Sequence, residues 1–223
     1  NLNILVTGAG GSIGSELCRQ ILNNKPKSLI LLENSEENLY NIYGEVSKNN
    51  LNVKEYLGSA TNYQLIKNII KKEKVDVIFH AAAYKHVPLV EKNAIQGIKN
   101  NVFSTWYLCK AAKEFSIKQL VLISTDKAVR PTNIMGASKR IAELIVQAFS
   151  KEINSTCFSM VRFGNVLASS GSVVPLFKKQ IDQGGPITLT HEKVTRFFIF
   201  AAILVFEYCQ LQKVIRQLIC SRK

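Results

Sequence analysis

The chain is 223 residues long, 47% hydrophobic and 20% charged, which allows one full α/β domain and little more, and excludes disorder or a fibrous protein. Its 29 Lys and Arg against 16 Asp and Glu give a net charge of +13. The positive residues are scattered over helical stretches, with no dense basic block interleaved with aromatics. The expectation is therefore a basic solvated surface, or a field that attracts a diphosphate-bearing ligand, and not a nucleic-acid partner.

The first strand is expected over Asn3–Val6. It runs into Thr7-Gly8-Ala9-Gly10-Gly11-Ser12-Ile13-Gly14, with a helix over Ile13–Asn23. Gly8, Gly11 and Gly14 suit a tight strand-to-helix turn: one permits the turn, one lets backbone approach a pyrophosphate, one lets the helix pack on the strand. The helix start at Ser12 and Ile13 then turns N–H groups and the positive end of the dipole toward phosphates. The second strand, Ser28–Leu32, ends at Glu33, 19 residues after Gly14. A carboxylate there accepts hydrogen bonds from both hydroxyls of an adenosine ribose and repels a 2′-phosphate, which selects NAD over NADP.

A helix over Glu36–Lys48, a strand over Asn52–Leu57, a helix over Tyr63–Lys72 and a strand over Val75–His80 follow. The tetrad His80-Ala81-Ala82-Ala83 suits either simple close packing or a backbone that passes near a cofactor at Ala81 and Ala82. Val90–Phe115 reads as helical with a break, Gln119–Ser124 as the fifth strand, Gly136–Lys151 as a helix and Thr156–Arg162 as the sixth strand. Continuously apolar strands such as Leu29-Ile30-Leu31-Leu32, alternating with helices, predict right-handed βαβ crossovers and a doubly wound parallel sheet of the α/β class. In that architecture ligands sit beyond the carboxyl ends of the strands. The expected division is a dinucleotide-binding, Rossmann-like domain over 1–165, the start of a substrate lobe over 166–198 and an atypical tail over 199–223.

The five cysteines, Cys18, Cys109, Cys157, Cys209 and Cys220, are odd in number and show no CxxC spacing. Reduced thiols in a cytosolic setting fit better than disulfides or a zinc site, and no metal-ligand cluster appears. No signal peptide opens the chain, and Phe197–Phe206 is about half the ~20 residues of a membrane-spanning helix. The chain starts at Asn1 without an initiator Met, so it reads as a piece of something longer, and a membrane enters only through an anchor preceding it.

The fifth strand ends in Ser124-Thr125-Asp126-Lys127, followed by Ala128 to Arg140 with Met135, Ser138 and Lys139. Together with Tyr84-Lys85-His86-Val87-Pro88, Arg162-Phe163-Gly164-Asn165-Val166 and Gly171–Gln180, these stretches resemble one family over about residues 2 to 198. It is the bacterial UDP-N-acetylglucosamine 4,6-dehydratases of polysaccharide and glycan synthesis. They fall within the extended short-chain dehydrogenase/reductases, whose Thr-Gly-x-x-Gly-x-x-Gly turn the chain shares.

That resemblance implies tightly bound NAD, a UDP-sugar such as UDP-N-acetylglucosamine as partner, and a lyase working in the cytoplasm or on the cytoplasmic face of a membrane. It leaves a homo-oligomer open. The implied reaction is oxidation at C4, loss of water across C5 and C6, and return of the hydride to C6. It makes Asp126 the candidate acid and Lys127 the candidate base. Thr125 is the candidate hydrogen-bond donor to the sugar and Lys139 the ligand of the nicotinamide ribose. Lys85 and Asn165 are the candidates for the sugar or diphosphate. The acid needs an Asp raised from ~3.9 and the base a Lys lowered from ~10.4. His86 receives no catalytic role, and Arg162 fits a strand-end ion pair equally well. Most of the superfamily carries a Tyr where Met135 stands, four residues before Lys139. Methionine is neither acid nor base, which read alone predicts a dead enzyme. Within the family a Met here resembles the subgroup that retains the C5 configuration.

After Thr195-Arg196-Phe197-Phe198 the resemblance stops, and 199–223 is an apolar run followed by Gln, Lys and Arg. A truncated or frame-shifted reading frame with an incomplete C-terminal substrate lobe is the expectation. Three other readings stand beside an active dehydratase. They are an inactive NAD-binding remnant, a sugar-nucleotide epimerase, and an NAD-sensing or nucleic-acid-binding module without catalysis.

Overall fold

Alternating buried strands and amphipathic helices give this chain, in a computed structural model that describes residues 2–49, 52–152, 155–166, 173–188 and 198–199, a doubly wound Rossmann-like sheet. The strands are β1 (Asn3–Thr7), β2 (Ser28–Glu33), β3 (Val53–Leu57), β4 (Val77–His80), β5 (Gln119–Thr125) and β6 (Cys157–Phe163). They lie in the order β3-β2-β1-β4-β5-β6, with β1 parallel to β2 and β4, β2 to β3, and β4 to β5. The order reverses between β1 and β4, so the crevice beyond their carboxyl ends is where this architecture receives a ligand. Along β2, both alternating sets, Ile30 and Leu32 on one hand and Leu29 and Leu31 on the other, are buried. Both faces of the sheet are therefore covered, which is why these strands read as unbroken apolar runs.

The helices are α1 (Ser12–Asn23), α2 (Glu36–Val46), α3 (Tyr63–Glu73), α4 (Val87–Lys92), α5 (Ala94–Ile98), α6 (Ser104–Glu114) and α7 (Ile134–Lys151). On one side of the sheet, Ile66 and Ile69 of α3, Leu108 and Cys109 of α6 and Ala142 and Val146 of α7 pack with Leu5, Ile30, Ile78, Leu120 and Leu122. At roughly 25 cal/mol per Å² of buried apolar surface, this common core is what holds the strand ends in place.

Two expectations need correction. The single broken helix over Val90–Phe115 is instead α4, α5, a π-helical turn over Lys99–Phe103, and α6. The break falls at Asn93, whose φ −132° and ψ 50° leave the helical region, and α4 begins earlier because Pro88 suits a first turn that needs no N–H. Helix α7 starts at Ile134, not Gly136, because the Asn133 side chain accepts the Gly136 N–H at 2.8 Å and caps it. That cap draws Met135 into the first turn.

The chain divides into two units, Asn1–Arg162 and Phe163–Lys223. In the second, β7 (Asn165–Val166) pairs in parallel with β8 (Phe198–Ile199), and α8 (Val173–Asp182), which sequence patterning did not reveal, ends at Gly184 and Gly185 with φ of 89° and 74°. The tail beyond Ile199 lies outside the described residues. Among the described residues no helix is long and apolar enough to cross a membrane.

Candidate active site

The turn after β1 is built around three close approaches, one of them at Gly10, where a methyl group would lie 2.6 Å from the Asn38 carbonyl oxygen. Gly8 has φ +67°, and a methyl group there would lie 2.7 Å from the backbone N and Cα of Ala82. A methyl on Gly14 would lie 1.9 Å from the Gly8 carbonyl oxygen. The first glycine therefore admits the Ala81–Ala82 backbone over the turn, and the last seats α1, which opens at Ser12 and Ile13, against β1. Gly11 is less crowded, its nearest neighbour being the Gly8 oxygen at 3.3 Å. As N-cap of α1, Gly11 makes no side-chain cap hydrogen bond, so no side chain there competes for the first turn.

Glu33, buried at the end of β2, closes the same turn. Its Oε2 accepts the Gly10 N–H at 3.0 Å, and its Oε1 accepts the N–H groups of Asn34 at 2.9 Å and Ser35 at 3.2 Å. From the sequence by itself, Glu33 is predicted only to contact a ribose. It also clasps the glycine turn to β2, and Oε2, with one donor, keeps acceptor capacity for a hydroxyl.

Beneath Ala81 and Ala82 lies a polar network that the sequence did not reveal. Ser104 and Thr105 hydroxyls donate to the carbonyls of Asn100 and Asn101, so toward the His80 ring they can only accept. His80 Nε2–H therefore donates to Thr105 Oγ1 at 3.1 Å and Ser104 Oγ at 3.2 Å, while Nδ1 accepts from Thr7 Oγ1 at 2.7 Å. Complete burial, with Lys139 nearby, lowers the His80 pKa to about 3, so the ring is neutral. Asn101, presented by the π-helical turn, accepts the Tyr84 N–H at 2.8 Å and donates to the Tyr84 carbonyl at 3.0 Å and Ser138 Oγ at 2.9 Å. The loop carrying Lys85 is thus tied to α7. Lys85 itself is exposed, and partial desolvation lowers its pKa.

At the end of β5, Asp126–Ala128 forms a single 3₁₀ turn capped by Thr125, whose hydroxyl accepts the Lys127 N–H and donates to Asp126 Oδ1 at 2.9 Å. Lys127 Nζ donates to the same Oδ1 at 3.1 Å. Gly136 lets α7 approach, since a methyl there would lie 2.4 Å from the Lys127 carbonyl oxygen. Burial works to raise the Asp126 pKa, but the Lys127 and Thr125 hydrogen bonds outweigh it and hold the carboxyl below its usual value. That is opposite to the shift a general acid needs. The reason is geometric: with the Asp126 side chain 49% exposed, solvent supports the ion pair and the desolvation required is incomplete.

Lys139, buried in α7, donates from Nζ to the Ile123 carbonyl at 2.7 Å, and desolvation lowers its pKa to about 8 against the opposing charge of Glu143. Met135 is buried one turn earlier and offers only its carbonyl, to Ser138 Oγ at 2.7 Å. Arg162 forms a strand-end ion pair, bonding both oxygens of Glu143. The structure therefore gathers the glycine turn, Ala81, Ala82, Thr125, Asp126, Lys127 and Lys139 at the carboxyl edge of one sheet. Asn165 belongs to β7, and its side chain lies outside the described residues.

This sheet, with its glycine turn after β1 and the Thr125-Asp126-Lys127 turn after β5, one strand apart across β4, is that of the extended short-chain dehydrogenase/reductase class. Residues 4–214 match the pattern of a family described as polysaccharide biosynthesis protein, and the chain belongs to that family. The capsular polysaccharide biosynthesis protein CapD of Staphylococcus aureus is 48% identical over 202 residues, covering 89% of this chain and 34% of CapD. The chain thus spans about a third of that relative's length. UDP-glucose 4-epimerases also stand among the relatives, one from Rickettsia canadensis at 34% identity. The crystal structure of Pen from Bacillus thuringiensis superposes with a TM-score of 0.87 at 35% identity, over 94% of this chain and 67% of that one. DesIV, a dTDP-glucose 4,6-dehydratase of Streptomyces venezuelae solved with NAD, shares the fold at a TM-score of 0.78 and 22% identity, over 90% of this chain and 70% of DesIV.

Proposed function

We propose that this chain carries the NAD-binding core and reaction turn of a nucleotide-sugar 4,6-dehydratase acting on UDP-N-acetylglucosamine. The observation that carries the reading is the Thr125-Asp126-Lys127 turn beside buried Lys139, with Met135 and no tyrosine in the facing turn of α7. The residues present fit a dinucleotide. A glycine cradle would be filled by any Cβ at Gly8 or Gly14, a helix start lies behind it, and Glu33 Oε2 keeps capacity for a ribose hydroxyl. Among the structural relatives, DesIV was solved with NAD, which supports the same choice here.

A dinucleotide held by the glycine turn and Glu33 would supply the hydride chemistry, as acceptor from C4 in its oxidised form and as donor to C6 in its reduced form. The chain's residues do the rest. Lys139 orients the nicotinamide ribose, and Thr125 holds a sugar hydroxyl. Exclusion of water by the sugar enlarges the desolvation that already pushes Asp126 upward, and in a dry site a paired carboxylate and ammonium relax toward their neutral forms. The proton that moves from Lys127 Nζ to Asp126 Oδ1 leaves an acid and a base side by side. The C4 hydroxyl proton freed by the oxidation leaves to solvent. Neutral Lys127 takes the C5 proton, made acidic by the C4 ketone, and Asp126 protonates the departing C6 hydroxyl. The Lys127 ammonium gives the proton back to C5 as C6 receives the hydride. Each transfer is worth ~10²–10⁴-fold in rate. Incubation with UDP-N-acetylglucosamine and NAD⁺ followed by mass spectrometry tests this: loss of one water is expected. An unchanged mass with an inverted C4 would establish an epimerase instead, and that chemistry lacks its usual tyrosine here.

A further inference from the structure

Glu143 is wholly buried in α7, one turn after Lys139, and takes no part in the chemistry above. An isolated carboxylate at such a depth costs several kcal/mol. Here Oε1 accepts from Ser124 Oγ at 2.6 Å and from Arg162 Nε at 2.6 Å, and Oε2 accepts from Arg140 at 3.0 Å and from Arg162 at 2.5 Å. The two arginines satisfy the charge, so the bond to Ser124 is not needed for neutralisation. Its position is informative. Lys139 and Glu143, four residues apart, share one helix face, and they grip successive residues of β5: the Ile123 carbonyl and the Ser124 hydroxyl. Along a strand, successive side chains point to opposite faces, so holding a carbonyl and the next side chain together fixes both the height and the twist of the strand end. The next residue is Thr125, cap of the reaction turn.

We propose that Glu143 is a positioning residue for the Thr125-Asp126-Lys127 turn, acting through Ser124 while Arg140 and Arg162 hold its charge. This rests on the dehydratase reading only for what the turn does, not for how it is held. The probe is the whole chain with its lysines reductively ¹³C-methylated, the Lys127 resonance being identified by its loss in Lys127→Arg. Ser124→Ala removes the link but leaves the arginine pairs. It is expected to move the Lys127 signal to the position of solvent-exposed lysines, with far-UV circular dichroism unchanged, and Ser124→Thr is expected to restore it. Glu143→Gln, which keeps an acceptor for Ser124, is expected to move the signal less than Ser124→Ala. An unmoved Lys127 signal in folded Ser124→Ala overturns the proposal, as does a shift of equal size in Ser124→Thr. NAD⁺ titration by calorimetry, run alongside, tests the cofactor reading separately: no binding sinks that reading and leaves the Lys127 result standing.

Discussion

A methyl group on Gly14 has nowhere to go: the Gly8 carbonyl oxygen would lie 1.9 Å away, and backbone at the junction of β1 and α1 cannot yield as a side chain can. Gly14→Ala is therefore expected to destabilise the chain by about 1–3 kcal/mol, as overpacking does. It should also abolish NAD⁺ binding, with thermal unfolding and calorimetry as the measurements. Gly11→Ala, whose methyl meets one atom at 3.3 Å, should bind with a smaller loss; equal losses at both sites would contradict the packing account. At the turn after β5, Asp126→Asn and Lys127→Ala remove the proposed acid and the proposed base but no glycine contact. Both should eliminate water loss from the sugar while leaving the NAD⁺ Kd within about twofold, since a single proton transfer carries ~10²–10⁴ of rate. Turnover that survives in either variant removes that residue from its role.

Helix α7 is the element on which the site depends, because it brings Lys139 and Glu143 to β5, buries Met135 in its first turn and presses Gly136 against the Lys127 carbonyl. Its start is fixed by Asn133, so Asn133→Ala should cost about 1 kcal/mol of stability, read as a fall in Tm, and Asn133→Asp should recover most of it. The position of that start was not legible from periodicity, which placed it at Gly136. A cap is a side chain outside the helix, and the hydrophobic pattern does not register it. The π-helical turn over Lys99–Phe103 was hidden for a similar reason: one residue of altered winding changes which side chain points inward, here Asn101, without changing composition. By contrast β2 was read almost to the residue, because burial on both faces leaves an apolar run with no competing interpretation.

At the scale of the whole molecule, buried titratable groups set the response to acid. Glu143 is held at about 2, below its ordinary 4.5, by burial outweighed by Arg162, Ser124 and Arg140. A depressed carboxylate gives stability that is full above its unfolded pKa and is lost as pH falls from about 4.5 toward 2. His80, depressed from 6.5 to about 3, binds its proton more readily in the unfolded chain, so its contribution is full above pH 6.5 and declines as pH falls toward 3. Stability should therefore begin to fall just below pH 6.5 and steepen below pH 4.5, in chemical unfolding followed over that range. A Glu143→Gln variant should make the acid limb less steep, the remainder coming from other depressed carboxylates such as Asp76 and Asp126, and keep the shallower limb. Stability flat from pH 7 to 4 would contradict the buried neutral His80.

The amino-acid order alone determined the class of fold, the glycine turn with Glu33 at the next strand end, and the place of Thr125-Asp126-Lys127 at the end of β5. These rest on local patterns: runs buried on two faces, residues without Cβ at fixed spacing, and polar groups at a strand end. Only the tertiary structure decided that Glu33 clasps Gly10, that His80 is a neutral link between Thr7 and Thr105, and that Glu143 reaches Ser124 while satisfied by Arg162. Each joins residues 19 or more positions apart, 73 in the case of Thr7 and His80, and the partner of a buried polar group is fixed by packing, not by sequence neighbourhood. The same holds for the Asp126 carboxyl. Its residue type announced a proton carrier, but the direction of its pKa was set by the exposure of the turn and by Lys127 within 3.1 Å.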